Sequence, residues 1–411
     1  MGNTLLAINN YFYRRGGAEA IFLDQIDMFE RAGWRAVPFS MQHPNNLHSD
    51  WSSHFVPEIE FGNQGGLLKK VEHSLEVIYS RKARASLSSL IDQVRPDIAH
   101  AHNVYHHISP SIFPLLKQKG IPTVLTAHDL KLACPAYKML SPKGICEKCK
   151  GGRIYNVLVN RCMKESVALS GVVMVETAVH RVLGLYRDYI DKIIVPSRFY
   201  QAKLMEWGWR ADQLVYIPNF VEQSISERPV TVDEGDYFLF AGRLAPEKGI
   251  ATLIKAAGIS GQRLRIAGTG PDEADLRSLA QQVGADVEFL GYLTGQALHE
   301  AIAGAKALVL PSEWYENAPV SLLEAYALGR PVIGTNIGGI PELIQAGKTG
   351  LIAKSSNPDD LARVLTSMDE LSKSMRQEMG RSGRLWVQEE FSQAAYLDRT
   401  TTLYRELGVR P

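Results

Sequence analysis

Two acidic and two basic side chains in the second half of the chain have the chemistry to bind a sugar and its phosphates. Glu316 and Glu324 are separated by seven residues in a run that begins at Pro311. Arg243 and Lys248 lie upstream, each beside a glycine. Arginine forks onto phosphate oxygens, and lysine supplies a compact positive charge. Taken singly, each would be a solvated surface charge, but the motifs around them weaken that interpretation.

Two glycine turns follow apolar runs and could bring backbone N–H groups to a phosphate. Gly16 and Gly17 precede a helical pattern, and the exposed amides of a helix start form an anion site. Gly268 and Gly270 would let the backbone approach a nucleotide, although they lack the third glycine of a dinucleotide fingerprint. A glycine turn that merely begins a helix is the alternative, and it would be favoured if either turn stood alone.

All four cysteines of the chain fall within one short segment and could hold a metal ion. Cys146 and Cys149 form a Cys-x-x-Cys pair, and Cys134 and Cys162 flank them. In a cytosolic chain this number and spacing favour a closed tetrahedral Zn²⁺ site. The segment 134–162 has little apolar material of its own, so a metal would organise it. Free buried cysteines, two disulfides and an iron–sulfur cluster are the alternatives.

Length and composition indicate a globular protein of two domains. The 411 residues exceed the ~250–300 at which single cores stop growing, and 45% hydrophobic with 22% charged residues is an ordinary balance. No apolar run reaches the ~18–20 residues that cross a bilayer, and the N-terminus lacks an export signal. We therefore expect a cytoplasmic protein. The basic residues form no stripe interleaved with aromatics, which argues against a nucleic-acid partner.

The charge is divided unevenly between the halves. Residues 1–218 carry 26 Lys and Arg against 19 Asp and Glu, a net +7, whereas the rest of the chain carries −6. A basic first half could attract an anionic membrane surface, and an ordinary fluctuation between domains is an equal alternative. The stretch Leu67–Arg84 would suit an interfacial helix or a helix packed on a sheet. Its basic residues are Lys69, Lys70, Arg81, Lys82 and Arg84.

The elements that must position these residues form two series of alternating strands and helices. Short apolar runs between amphipathic stretches predict a parallel sheet covered by helices. The predicted strands of the first series are Thr4–Asn9, Arg35–Ser40, Asp97–His102, Thr123–Ala127, Lys192–Val195 and Leu214–Ile217. Its predicted helices are Ala18–Arg31, Leu67–Gln93, Ser109–Lys119, Glu165–Arg187 and Ser197–Trp207. Ser197 is expected to cap its helix.

The second series follows a polar stretch without a hydrophobic period. Its predicted strands are Tyr237–Ala241, Arg263–Ala267, Val287–Leu290, Ala307–Pro311 and Pro331–Thr335, with an edge strand at Gly350–Ala353 and a helical tail at Ser392–Leu407. We expect an α/β protein with two doubly wound Rossmann-like domains that bind ligands at the carboxyl ends of their strands. The expected boundaries are 1–221, a linker at 222–236, 237–391, and a C-terminal helix at 392–411 that returns to the first domain.

Several motifs in this order resemble the retaining glycosyltransferases of family 4, of the bacterial surface-polysaccharide type. That family has the GT-B fold, with two domains facing each other across a cleft, and two glutamates separated by seven residues are its hallmark. The resemblance covers nearly the whole chain. The matching runs are Gly242-Arg-Leu-Ala-Pro-Glu-Lys248-Gly249, Gly268-Thr-Gly270-Pro and Phe289-Leu-Gly291-Tyr292.

The resemblance implies roles for the second-domain residues. Arg243 and Lys248 would hold the donor diphosphate and stabilise it as it departs. Glu316 would bind the transferred sugar, and Glu324 the ribose hydroxyls. Tyr292 would contact the base, or else pack against the next helix. Further donor contacts are expected at Gly242, Gly268, Gly270, Asn317, Ala318, Pro319 and Val320.

The resemblance also implies roles for the first domain. The loop at Gly16 and Gly17 would face the donor phosphates and the acceptor. His128 would lie beside the donor sugar, since it follows a predicted strand at its carboxyl end, although a lone histidine is more often structural. Four further histidines are interpreted as lining on the acceptor side: His100, His102, His106 and His107.

The expected reaction is metal-independent transfer with retention of anomeric configuration. No Asp-x-Asp motif occurs in the sequence, so cations and helix N-termini would meet the charge of the leaving diphosphate. The expected donor is a UDP or GDP sugar, and the acceptor is a glycan or a lipid-linked glycan. The alternatives are a nucleotide-sugar epimerase, a sugar phosphorylase, or a non-catalytic binding protein of the same fold.

Overall fold

The computed structural model describes residues 2–58, 67–227 and 234–410, with only the backbone of residues 67–72. The chain forms two compact units: residues 1–217 with 397–411, and residues 218–396. The last residues therefore belong to the first unit, and the division falls just before Pro218 rather than after Val221. Part of the expected linker, residues 228–233, lies outside the described residues.

The first unit is built on a six-stranded parallel sheet. Its strands lie in the order β2-β1-β3-β4-β7-β8. In chain order the strands of this unit are β1 (Thr4–Ile8), β2 (Arg35–Phe39), β3 (Ile98–Ala101), β4 (Thr123–Thr126), the short hairpin β5 (Leu140–Ser141) and β6 (Gly144–Ile145), β7 (Lys192–Val195) and β8 (Leu214–Tyr216). All residues of β1, β3 and β4 are buried, as expected for a parallel sheet covered on both faces.

The helices of the first unit connect these strands. They are α1 (Gly17–Arg31), α2 (Leu67–Ile78), α3 (Arg81–Val94), α4 (Ile112–Gln118), α5 (Asn156–Val159), α6 (Val167–Val182) and α7 (Arg198–Glu206). The single helix expected over Leu67–Gln93 is wrong, because Ser80 interrupts it. The Ser80 hydroxyl accepts a hydrogen bond from the Ala83 amide at 3.0 Å. The backbone amide of Ser80 donates to Ser109 Oγ at 2.9 Å. Ser197 caps α7 as predicted.

The second unit contains another six-stranded parallel sheet, in the order β11-β10-β9-β12-β13-β14. Its strands are β9 (Tyr237–Ala241), β10 (Arg263–Ala267), β11 (Val287–Gly291), β12 (Leu308–Leu310), β13 (Val332–Thr335) and β14 (Gly350–Ala353). β9 and β12 are parallel neighbours. The strands that follow β9 are added on one side of this pair and those that follow β12 on the other, so the loops after β9 and β12 flank the switch point where ligands bind in such folds. The predicted doubly wound architecture is confirmed.

Alternate residues of β9 face two separate cores. Phe238 and Phe240 pack in one buried cluster, whereas Tyr237 and Leu239 pack in the other, as the two-residue period of a strand requires. The helices that cover this sheet are α8 (Gln223–Ser226), α9 (Ile250–Ser260), α10 (Glu273–Gln282), α11 (Gly295–Ala303), α12 (Val320–Ala327), α13 (Pro358–Glu370) and α14 (Lys373–Glu390). The last helix, α15 (Gln393–Glu406), begins in this unit and lies mostly in the first. Among the described helices, none combines the length and apolar character that spanning a bilayer requires.

Candidate active site

The loops after β9 and β12 bring two predicted residues into direct contact. Lys248 Nζ lies 2.7 Å from Glu316 Oε1, and the Ser312 hydroxyl donates to the same oxygen at 2.8 Å. Glu316 is buried at 7% exposure, so this carboxylate is fixed rather than solvated. Burial alone would raise the pKa of Glu316, but the charge of Lys248 and these hydrogen bonds hold it below its usual range.

Glycines at two positions allow the loops to approach each other closely. A Cβ on Gly338, which has φ +59°, would lie 2.4 Å from the backbone oxygen of Glu316. The neighbouring Gly339 amide donates to that oxygen at 2.8 Å. A Cβ on Gly249 would lie 2.0 Å from the carbonyl oxygen of Pro311. The backbone that carries Lys248 and Glu316 is therefore held by contacts that only glycine permits.

The side chain of Arg243 is exposed in the same loop as Lys248. No carboxylate within the described part of the chain forms an ion pair with it. Lys248, in contrast, is paired with Glu316 and lies 5.4 Å from the centre of the Trp314 ring, a cation–π distance. One cation is thus fixed and the other accessible to an anionic ligand.

The glycines at 268 and 270 allow the loops after β9 and β10 to approach each other closely. A Cβ on Gly268 would lie 1.8 Å from the Gly242 oxygen, and one on Gly270 would lie 2.1 Å from the Leu244 oxygen. The loops after β9 and β10 are also joined by a bond from the Leu244 amide to the Thr269 oxygen at 3.0 Å. Close packing of these two loops is therefore sufficient to require glycine here.

The helix that follows Glu316 begins directly after Pro319. Pro319 is the N-cap and α12 starts at Val320. Asn317 is buried, and Ala318 accepts from Asn219 Nδ2 at 3.0 Å. Glu324 lies in the second turn and is half-buried. Tyr292 is 70% exposed, which excludes the alternative that its ring packs against the next helix.

In the first unit, His128 ends a chain of hydrogen bonds that crosses the sheet. His128 Nε2 lies 2.7 Å from His102 Nδ1, and His102 Nε2 lies 2.7 Å from Gln25 Oε1. Gln25 Nε2 then lies 2.8 Å from His100 Nδ1, which also meets the Tyr404 hydroxyl at 2.6 Å. The three imidazole rings are stacked, with centroids 4.8 and 5.0 Å apart.

With the Gln25 amide in this orientation, the hydrogen bonds assign the ring protons of His102 and His128. The Gln25 oxygen can only accept, so His102 carries hydrogen on Nε2 and accepts from His128 Nε2–H at Nδ1. Burial lowers the pKa of His128 to about 4. Burial, followed by the charge of His128, lowers the pKa of His100 to about 3. The chain is therefore neutral at physiological pH.

The interpretation of His100 and His102 as acceptor lining is wrong. Both have no exposed surface, and their ring nitrogens are engaged in the chain that orients His128. His107 is also buried, and its Nε2 lies 3.4 Å from the Tyr11 hydroxyl. His106 is half-buried. Sequence inspection missed Gln25 and Tyr404, since neither lies near a histidine in the sequence.

The loop at Gly16 and Gly17 begins α1 at the same edge of the sheet. Gly16 is the N-cap in an extended conformation, with φ −165°, and α1 starts at Gly17. Glu19 in the first turn is buried, and burial raises its pKa. Asp129, beside His128, also has a pKa raised by burial, and it accepts from the Tyr105 hydroxyl at 2.8 Å.

The four cysteines lie between β4 and α6 and form no disulfide. Cys149 is buried and the other three are half-buried. Burial, followed by negative charge on Cys134, Cys162 and Cys146, raises the pKa of Cys149 to about 12, so the four thiols are electrostatic neighbours. Within the described ranges, no three His, Cys, Asp or Glu side chains form a ready metal-binding group.

A cavity of about 430 Å³ lies beside the cysteine segment in the first unit. Its wall includes Gly151 and Gly152 from that segment, Arg181 from α6, and Trp209 beyond α7. The volume is within the range of small-molecule pockets.

Comparison with known proteins assigns the chain to a family. The model for Glycosyltransferase Family 4 matches residues 15–224, and the model for Glycosyl transferases group 1 matches residues 221–386. The chain belongs to glycosyltransferase family 4. The family 4 resemblance seen in the sequence is confirmed.

The individual relatives match only part of this family 4 chain. A GDP-mannose-dependent phosphatidylinositol monomannoside mannosyltransferase from Corynebacterium glutamicum is 34% identical over 39% of this chain and 45% of its own length. The chain spans about half the length of the curated relatives that it matches first.

Two solved structures cover almost all of the family 4 chain. The sucrose-phosphate synthase of Thermosynechococcus elongatus has a TM-score of 0.72 at 21% identity, over 98% of this chain and 99% of that one. Anabaena HepE, solved with UDP and glucose, has a TM-score of 0.66 at 16% identity, over 98% and 100%. These similarities establish the fold: each unit is a Rossmann-like domain, as in the expected GT-B architecture.

Proposed function

We propose that this protein transfers a sugar from a nucleotide-sugar donor to a hydroxyl group of a glycan or a lipid-linked acceptor. The observation that carries the proposal is the pair Lys248–Glu316, which lies at the switch point of the second sheet. A fixed carboxylate accepts hydrogen bonds from sugar hydroxyls, and a cation beside it meets phosphate. The accessible Arg243 adds a second cation in the same loop.

The proposed donor is a sugar linked to UDP or GDP. HepE of Anabaena was solved with UDP and glucose, and the mannosyltransferase of Corynebacterium is named as GDP-mannose-dependent. Both names support a nucleoside diphosphate as the leaving group. The exposed ring of Tyr292 is the proposed contact for the base, and Glu324 in α12 is the proposed contact for the ribose hydroxyls.

The proposed reaction proceeds with retention at the anomeric carbon. The bond from that carbon to the diphosphate oxygen breaks, and the acceptor oxygen forms its bond on the same face. The acceptor proton passes to the departing phosphate. Negative charge that develops on the diphosphate is met by Arg243, by Lys248 and by the free amides at the start of α12, which are already in place before the reaction.

His128 is proposed to orient the donor sugar rather than to carry a proton. Its pKa of about 4 keeps it neutral, and its Nε2–H is directed to His102 at 2.7 Å. The hydrogen bonds between Gln25 and His102 and between His102 and His128 fix the imidazole ring of His128 in one orientation. Gly16 and Gly17 at the start of α1 are proposed to offer backbone amides to the phosphates.

An acceptor-dependent assay tests this proposal. UDP and GDP sugars are incubated with glycan or isoprenyl-diphosphate-linked acceptors, without added Mg²⁺ or Mn²⁺, and release of nucleoside diphosphate is measured. We expect release only when acceptor is present, and an anomeric coupling in the NMR spectrum of the product that matches the donor. Donor interconversion without acceptor, phosphate-dependent cleavage, or binding without turnover would each contradict the proposal.

A further inference from the structure

The cysteine segment packs on a small apolar cluster. This cluster consists of Ala136 and Val157 from the segment and Val173 from α6, with Cys134 and Cys162 among the partly buried side chains packed against it. Within residues 134–162, all of which the structure describes, the regular structure is limited to a hairpin of two-residue strands and two single turns of helix. Folded segments this small usually need disulfides or a metal, and all four cysteines are free.

The backbone of the same segment is unusually strained. Nine non-glycine residues in the described ranges have a positive φ, and five of them lie between the first cysteine and the start of α6. These five are Tyr137, Met139, Arg161, Lys164 and Glu165. Each such conformation costs roughly 1–3 kcal/mol and persists only where the surroundings enforce it.

We infer that Cys134, Cys146, Cys149 and Cys162 together bind one structural Zn²⁺ ion. Zinc with four thiolate ligands forms closed, tetrahedral sites, and each thiol releases its proton to solvent when it coordinates. In the described structure the four sulfurs do not form a ready ligand set, so coordination requires them to move closer together. The ion then fixes Gly151 and Gly152, which form a wall of the 430 Å³ cavity.

Metal analysis of the intact chain, purified without added metal, tests the inference. We expect about one zinc per chain, slow reaction of the thiols with a thiol reagent, and rapid reaction of all four after a chelator is added. Replacement by Co²⁺ should give the intense visible absorption of tetrahedral thiolate coordination. Cys149→Ser should lower the zinc content and increase proteolysis between residues 134 and 162.

Lys148→Ser is the matched control, because it changes an exposed residue of the same turn that carries no thiol. It should keep its zinc and its protease resistance. A mass lower by two or four hydrogens without metal would show disulfides, and iron with inorganic sulfide would show a cluster. Either result would overturn the inference, as would metal-free wild-type protein that has four reactive thiols and resists protease as well as metal-loaded protein does.

Discussion

At the scale of single residues, the motifs selected the charged side chains of the candidate site but did not predict how these side chains contact each other. Lys248 and Glu316 were each expected to face a ligand, and the structure shows that they also pair with each other at 2.7 Å. Ser312 and Trp314, which complete this contact, carry no signal in the sequence, because a serine and a tryptophan in a loop fit many environments. The pair fixes the position of Lys248 before a ligand arrives.

Removal of either cation should reduce turnover while the fold is kept. We expect Arg243→Ala and Lys248→Ala to lower kcat by about 10²–10³-fold, the usual loss when a stabilising group for developing charge is removed. Lys248→Ala should also destabilise the second unit, since it leaves the buried Glu316 unpaired. Steady-state kinetics and urea unfolding measure the two effects, with the exposed Lys348→Ala as control. Near-normal turnover in both variants would contradict the proposal that Arg243 and Lys248 stabilise the leaving diphosphate.

At the scale of secondary-structure elements, the sequence predicted the regular sheets well and the irregular parts poorly. Strands such as Lys192–Val195 and Tyr237–Ala241 were predicted with their observed bounds, because an apolar run between amphipathic helices is a strong pattern. The hairpin β5–β6 was missed, since two-residue strands have no period. Tyr404 could not be linked to His100, because 304 residues separate them and only the folded α15 brings them together.

The buried histidines should make the first unit sensitive to acid. The folded pKa of His128 is about 4, below the unfolded value of about 6.5, so the unfolded chain takes up protons first. The stability that each such histidine contributes is present above pH ~6.5 and is lost as the pH falls toward 4, by up to about 1.4 kcal/mol per pH unit.

Urea unfolding at pH 7 and pH 5 should therefore show a lower free energy of unfolding at pH 5. His128→Gln should reduce this difference, because one buried histidine is removed while an amide can still donate to His102. His48→Gln changes an exposed histidine and should leave the difference as in the wild type. Equal pH dependence in all three proteins would show that His128 is not held neutral by burial.

At the scale of the whole molecule, the two halves of the chain have similar sheets but opposite net charge. The net +7 of residues 1–218 was interpreted as either a membrane-binding surface or an ordinary fluctuation between domains. Arg81 and Lys82 are exposed at the start of α3, whereas the side chains of Lys69 and Lys70 lie outside the described residues. The expected interfacial stretch is therefore two helices rather than one.

Peripheral membrane binding predicts cosedimentation with anionic liposomes at low salt and release as salt is added, because screening shortens the reach of surface charge. Arg81→Gln combined with Lys82→Gln should weaken the binding. Lys348→Gln combined with Arg381→Gln makes the same change of charge in the second unit and should not. A wild-type protein that stays in the supernatant at low salt would end the membrane hypothesis.

The central claim is that the second unit binds a nucleoside diphosphate with its own cations. Calorimetric titration of UDP and GDP, without added divalent metal, tests it most directly, because it needs no knowledge of the sugar or the acceptor. We predict that at least one of them binds the wild type and Lys348→Ala alike, and binds Arg243→Ala about tenfold more weakly, a loss of about 1.4 kcal/mol. Binding of neither nucleotide, or equal affinity in the wild type and Arg243→Ala, would contradict the account.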